Sequence, residues 1–389
     1  MVANMIAVLY ICSEYSLDGA AQSLLNMIAS VKDEVKPIIL CYEGAVYEYF
    51  KNQGIECYVA PHLLVYSGDR GNWSHFVLHP WHLRIVKQFR IKWFFIKIAR
   101  KNLSDKNICL VHTNVSATTF GVFVSKILKV KHIWHVRECL EEGSYWDGKL
   151  FIGRKRLKHL INKADARIAV SNSCRQFWGL NEKNTWTLLD AIRSVNDCCY
   201  EKEKQPYFLF CSYWVNEAKG ASRAVEAFGK SGLFIPSSEF DATIRLKIVG
   251  ACSDGYKKEL LALAESYGCS DYVDFVPVQE DVKTYFTNAM AFIQPSLNEG
   301  LGRATCEAMF FGCPIIAYAS GGTLDLVKDG ETGYLFNTVD ECAELMKKVC
   351  AANQEEIIFR AQEFARQNLS VENYRKKIME VYNTVLKSK

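Results

Sequence analysis

Twice along this chain, short apolar runs of strand length recur at intervals that leave room for a helix, and this rhythm restricts the fold more than any other feature. Residues 5–12, 37–42, 55–60, 108–112, 131–136 and 166–171 read as strands. The stretch from Gly19-Ala20-Ala21 to about Val31 and residues 46–53 read as helices. After the polar Glu201-Lys202-Glu203-Lys204-Gln205-Pro206 the series starts again, with strands at 207–212, 246–250, 273–276, 291–294 and 314–318 and a helix at 221–230. Short apolar runs alternating with helical segments indicate a parallel sheet wound with helices on both faces. A charged stretch ending in proline is a natural boundary between two such sheets. The expected class is therefore α/β, with two Rossmann-like doubly wound domains facing each other across a cleft. The boundaries read 1–200 and 206–368, with 369–389 a final helix packing back on the N-terminal domain.

Size agrees with that division, since 389 residues exceed one ordinary core. Hydrophobic residues at 49% and charged residues at 23% are those of a globular protein. A net charge of +4 makes no case for nucleic-acid binding, and none is expected. The 15 cysteines include no Cys-x-x-Cys, and several lie in apolar strand-like runs, as free buried thiols do. Residues 1–11 lack the long apolar region of a signal peptide, and the most apolar later stretch, 310–319, is far shorter than the ~20 residues of a membrane span. A cytoplasmic location is therefore expected. Residues 84–106 carry eight Lys and Arg against Asp105, interleaved with Trp93, Phe94 and Phe95. Such a segment is either an ordinary basic surface helix or a peripheral contact with the inner face of a membrane.

Chemistry concentrates in residues 296–336. Ser296-Leu297-Asn298-Glu299-Gly300-Leu301-Gly302-Arg303 follows a strand and opens a helix that contains Glu307. Glycines allow backbone to approach a ligand closely, and the N–H groups opening a helix suit a diphosphate. Carboxylates beside such a site call for another task, and accepting hydrogen bonds from sugar hydroxyls is one. Glu307 is the candidate for ribose hydroxyls and Glu299 for the sugar. The ligand-binding residues of this turn and helix are therefore Gly300, Leu301, Gly302, Arg303 and Glu307.

Gly312-Cys313-Pro314, Gly321-Gly322 and Asp329-Gly330-Glu331-Thr332-Gly333 continue the pattern in order. Together with Glu299-Gly300-Leu301-Gly302 and Glu307-Ala308-Met309, this run resembles retaining glycosyltransferases of family 4, which have the GT-B fold. Lys219-Gly220 is similar to the family's Lys-Gly turn, whose lysine contacts the donor phosphates. Relatives place an arginine shortly before that lysine, whereas Ser212-Tyr213-Trp214-Val215 has none, and Arg303 is the substitute available. In the N-terminal half, His135-Val136-Arg137-Glu138 looks like the histidine segment beside the transferred sugar, and Gly19-Ala20 like a loop approaching donor and acceptor. Asn114 ends another strand, where doubly wound folds collect ligands. The resemblance implies catalysis by Glu299 and His135, with Gly19, Ala20, Asn114 and Arg137 lining the acceptor side.

By the same resemblance the chain is expected to move a sugar, with retention, from a UDP-sugar or GDP-mannose to a glycan or lipid-linked glycan, in surface polysaccharide synthesis. No Asp-x-Asp is present, so no metal is expected; no cofactor is expected either, the nucleotide sugar being a substrate. An epimerase or phosphorylase on the same scaffold, or a nucleotide-sugar-binding protein without catalysis, are the competing readings. A dinucleotide-dependent dehydrogenase is disfavoured because no Gly-x-Gly-x-x-Gly follows the first strand.

Overall fold

The computed structural model describes residues 5–14, 16–60, 96–97, 99–140, 153–235 and 243–388. The chain forms two compact units. One comprises Met1–Val170, Cys174–Leu188 and Arg375–Lys389, the other Ser171–Ser173 and Leu189–Tyr374.

The first unit is built on β1 (Ile6–Ile11), β2 (Val35–Cys41), β3 (Glu56–Val59), β4 (Leu110–Thr113), β5 (Lys131–Val136), β6 (Ala166–Ala169) and β7 (Thr185–Thr187). They pair in parallel in the order β3-β2-β1-β4-β5-β6-β7. Strands covered on both faces lose polar alternation, and Val8, Leu9, Tyr10 and Ile11 of β1 are all fully buried. One face carries Leu9, Ile11, Ile38, Leu40 and Val111 into an apolar core with Phe120 and Val124. Helix α1 (Gly19–Ser30) follows β1, its amino end capped by Asp18, whose carboxylate accepts from the Ala21 N–H.

The second unit repeats the plan with β8 (Tyr207–Val215), β9 (Arg245–Cys252), β10 (Val273–Val276), β11 (Ala291–Gln294), β12 (Ile315–Tyr318) and β13 (Tyr334–Phe336). The order is β10-β9-β8-β11-β12-β13, again parallel throughout. Both sheets reverse their strand order beside the first strand, at β1/β4 and at β8/β11. Those reversals open the crevices in which doubly wound sheets hold ligands.

Two local features depart from the sequence reading. Strand β8 runs three residues beyond the expected end at 212, with a register shift between Cys211 and Trp214. Gly250 makes room for it, because a Cβ there would lie 1.8 Å from the Ser212 carbonyl oxygen. The strands β7 and β13 are three residues long, too short to leave an apolar run of their own.

All fifteen cysteines are free thiols. Of the basic segment 84–106, residues 84–95 and 98 lie outside the described residues. Its described end forms a π-helical turn at Ala99–Leu103, and Lys106 pairs with Glu56 at 2.7 Å. The final helix, Val371–Lys387, contributes its residues from Arg375 onward to the first unit. Arg375 donates to Glu34 at 2.9 and 3.1 Å. Among the described residues no helix is long and apolar enough to cross a membrane.

Candidate active site

At the β8/β11 crevice two loops are fastened to each other. After β8, Asn216 caps a short 3-10 turn, its side-chain oxygen accepting from the Lys219 N–H at 3.1 Å. Gly220 follows in the left-handed region at φ 78°, and a Cβ there would lie 2.4 Å from the Pro295 carbonyl oxygen. Arg223 Nε donates to that same carbonyl at 2.9 Å, and Ser296 Oγ donates to the Ala218 carbonyl at 3.1 Å. The result sets Lys219 Nζ 2.8 Å from Glu299 Oε1. Glu299 is buried, 8% exposed, whereas the lysine side chain is 39% exposed. A buried carboxylate held by one half-exposed ammonium is neutralised, yet its partner is within reach of a ligand.

A glycine pair after β12 supports the carboxylate from behind. Gly322 N–H donates to the Glu299 carbonyl at 2.8 Å. A Cβ on Gly321 would lie 2.7 Å from that carbonyl oxygen, and one on Gly322 would lie 2.1 Å from the Gly300 carbonyl oxygen. Only glycine permits this approach, so the Gly-Gly element and the Glu-Gly-x-Gly element are two sides of one backbone contact.

Leu301, 4% exposed, anchors the loop, and Gly302 at φ 93° turns it into the helix Arg303–Phe310. No side chain caps that helix. Glu307, one turn in, accepts from Arg193 Nη2 at 3.3 Å and lies 4.0 Å from Arg303 Nη2. Arg193 also stacks over Phe311 at 5.3 Å. Thr305 and Thr323 are fully buried, and their hydroxyl oxygens have no hydrogen-bond partner among the described residues. Glu307 on the helix is thus shared between two guanidinium groups, Arg303 of the same helix and Arg193 from a distant part of the chain.

The first unit assembles a second group at the β1/β4 crevice. Asn114, just past β4, donates from Nδ2 to the Ala20 carbonyl at 3.1 Å. Arg137, just past β5, donates from Nε to the Asn114 carbonyl and Oδ1, both at 3.0 Å. Its Nη2 reaches His135 Nδ1 at 3.3 Å. Gly19 opens α1 on the surface. Ala20, Asn114, Arg137 and His135 are therefore one hydrogen-bonded set. Burial, Arg137 and His112 hold His135 far below the usual imidazole range, so it is neutral. Nearby Glu14 is pushed up to about 8 by burial and by Asp18, and burial also raises Glu138.

Among the candidates, Lys219 meets Glu299, Arg303 lies near Glu307, and Arg137 meets His135 and links it through Asn114 to Ala20, while among the described residues no hydrogen bond joins Gly19 to that set. Sequence reasoning missed Arg193 and Tyr382. Arg193 sits in no motif and reaches Glu307 across 114 positions. Tyr382 occupies an amphipathic helix, where a tyrosine reads as core, and contacts His112 at 2.9 Å. Among the described residues no three His, Cys, Asp or Glu side chains are grouped to hold a metal ion.

Over almost its whole length the chain superposes on solved structures. The Anabaena protein HepE, crystallised with UDP, matches with a TM-score of 0.75 and 18% identity, covering 97% of this chain and 100% of that one. The fold is GT-B. Residues 200–364 match the family model described as glycosyl transferases group 1, which falls within the second unit. A Haemophilus influenzae protein described as an uncharacterized glycosyltransferase is 37% identical over 99 residues, 25% of this chain and 28% of its own. The alpha-1,3/1,6-mannosyltransferase ALG2 of Dictyostelium discoideum is 32% identical over 146 residues, 34% of each chain. The chain thus spans about a third or less of the length of these two relatives. These matches support a GT-B glycosyltransferase.

Proposed function

We propose that this chain is a retaining, metal-independent glycosyltransferase of family 4 that moves a hexose from a nucleotide sugar to a hydroxyl of a glycan or lipid-linked glycan. The observation that carries the reading is the Lys219–Glu299 pair at the β8/β11 crevice, held by glycine-dependent backbone contacts. In the free protein the two charges neutralise each other. A bound nucleotide sugar offers each a better partner, the diphosphate for Lys219 and the sugar hydroxyls for Glu299. Arg303 and the amino end of its helix add positive potential for the diphosphate. Glu307 receives the ribose hydroxyls. His135, Arg137, Asn114 and the Gly19-Ala20 loop meet the sugar and the acceptor. Departure of the diphosphate leaves a phosphate oxygen able to take the acceptor proton, so no side-chain nucleophile is required. HepE has also been crystallised with UDP-glucose, which makes a UDP-sugar the first donor to test and GDP-mannose the second.

Surface polysaccharide assembly and a cytoplasmic location belong to the same proposal. Residues 84–106 are either a basic surface helix or a peripheral contact with an anionic membrane; reversing the charge of Lys92 and Lys97 decides between them, release from anionic vesicles marking the contact and unchanged binding the surface helix.

The deciding experiment is calorimetric titration with UDP and GDP in EDTA, followed by sugar-transfer assays with the matching nucleotide sugars. Binding of one nucleoside diphosphate without metal, and transfer with retained configuration, are expected. Binding without transfer or hydrolysis would favour the nucleotide-sugar-binding reading, and no binding of either would overturn the site assignment.

A further inference from the structure

The proposed sugar-side histidine is not an isolated ring. Tyr10 of β1 and His112 of β4 are register partners, and their rings lie 5.4 Å apart on one face of the first sheet. His135 of β5 lies two residues beyond Ile133, the partner of His112, and so projects from the same face. The final helix brings Tyr382 onto this row. Its hydroxyl lies 3.1 Å from the Tyr10 hydroxyl and 2.9 Å from His112 Nδ1. His112 Nε2 lies 3.3 Å from His135 Nδ1. All four side chains are fully buried.

Proton placement is fixed from the end where no choice exists. Arg137 can only donate, so His135 Nδ1, 3.3 Å from its Nη2, must accept. A neutral ring then carries its proton on Nε2. With that lone pair already facing donors, His112 Nε2 must also donate, since a second lone pair there would be repelled. Two donors sharing one acceptor explains why both contacts are long. His112 Nδ1 is left to accept from Tyr382, and Tyr382 in turn accepts from Tyr10. The row of hydrogen bonds therefore runs one way and ends on a single group. His135 Nε2 is buried and has no partner among the described residues. A buried N–H without an acceptor is unfavourable in the free protein and becomes satisfied when an oxygen arrives.

We propose that Tyr382 and His112 are positioning residues that fix His135 as a neutral Nε2–H donor, aimed at an oxygen of the bound sugar. This rests on the transferase reading for the identity of the oxygen, but not for the state of the ring. It gives the final helix a part in the site, because the hydroxyl that orients His112 comes from its last turns. A chain of hydrogen bonds pointing one way also polarises its terminal donor. His135 is thereby excluded as a general base, since the nitrogen facing the ligand side bears the proton.

The test uses the whole protein labelled with 15N-histidine. At pH 7 the ring spectra of His112 and His135 are expected to show a protonated Nε2 and an unprotonated Nδ1. An imidazolium or an Nδ1–H ring at His135 would overturn the proposal. Kinetics with UDP-glucose, or the nucleotide sugar that replaces it in the transfer assay, provide the second readout. His112→Leu is expected to lower kcat about tenfold with KM within about twofold, as loss of an outer orienting group does. His112→Gln, which can donate to His135 and accept from Tyr382, is expected to restore most of that loss. Tyr382→Phe, nearly isosteric and so the safest to fold, is expected to lower kcat about three- to fivefold. Unchanged kcat in both His112→Leu and Tyr382→Phe, or a loss confined to KM, would overturn the positioning role. Should no nucleotide sugar be turned over by the unaltered protein, the transferase reading falls, and the ring spectra still decide the state of His135.

Discussion

Lys219 and Glu299 form an ion pair whose two members are asked to part when substrate binds, and this gives their substitutions opposite signs on affinity. Glu299→Gln keeps the shape of the side chain and removes its charge. Lys219 is then released from its internal partner, so nucleoside diphosphate affinity is expected to hold or rise. Turnover is expected to fall about a hundredfold, because a charge-assisted contact to the reacting sugar is gone. Lys219→Met removes the cation itself and is expected to weaken nucleoside diphosphate binding by about 1.5–3 kcal/mol. Titration calorimetry alongside steady-state rates separates these effects; equal losses of affinity in both variants would sink the assigned division of labour. Each of the two stood out in the sequence because it sits inside a local pattern, Lys-Gly and Glu-Gly-x-Gly, but their pairing did not, since 80 positions separate them. Arg193 and Tyr382 were not, because their partners lie 114 and 270 positions away. A residue whose role is created only by long-range packing leaves no local trace.

Between residues and whole units lie the loops, and here the glycines divide into two physical kinds. Gly322 has an ordinary backbone conformation, so its requirement is purely one of space: a Cβ would meet the Gly300 carbonyl oxygen at 2.1 Å. Gly330 has φ 70° and nothing within 4 Å of a Cβ, so its requirement is purely conformational. Gly322→Ala is expected to cost about 1–3 kcal/mol in urea unfolding, as overpacking does, and to displace the loop that carries Glu299. Gly330→Ala is expected to cost about 1–2 kcal/mol through the left-handed conformation alone. Only the first should weaken nucleoside diphosphate binding, and equal binding losses would show that the Gly-Gly contact does not position the site. The strands were readable for a related reason. Both sheets are buried on two faces, which leaves continuous apolar runs, and only β7 and β13, at three residues each, are too short to produce one. The end of β8 escaped because its bulge interrupts the ladder between Cys211 and Trp214.

At the scale of the molecule, each unit closes around its own sheet, and three fully or nearly fully buried histidines are gathered in the first. His112, His132 and His135 are held neutral, His132 falling to about 3 through burial. Their folded pKa values lie below that of an unfolded histidine, about 6.5, so their contribution is complete above that pH and is lost as pH falls. Glu14 acts on the other limb. Its carboxyl is raised to about 8, chiefly by burial and then by the charge of Asp18. Below about pH 4.5 both folded and unfolded forms are protonated and nothing is lost. Between there and about pH 8 the unfolded chain ionises while the folded one holds its proton, so stability declines with rising pH. Above that, the folded state carries a carboxylate beside Asp18 and the full penalty applies. Glu14→Gln removes the ionisation while keeping the shape, and is expected to be more stable than the parent by about 1–2 kcal/mol at pH 8.5, a figure reduced for the partial exposure of the side chain. At pH 5 the two should differ little. Urea unfolding followed by tryptophan fluorescence, to which the buried Trp134 and Trp178 of the first unit contribute, reads this directly. Parallel pH profiles for the two proteins would mean that Glu14 ionises freely in the folded state.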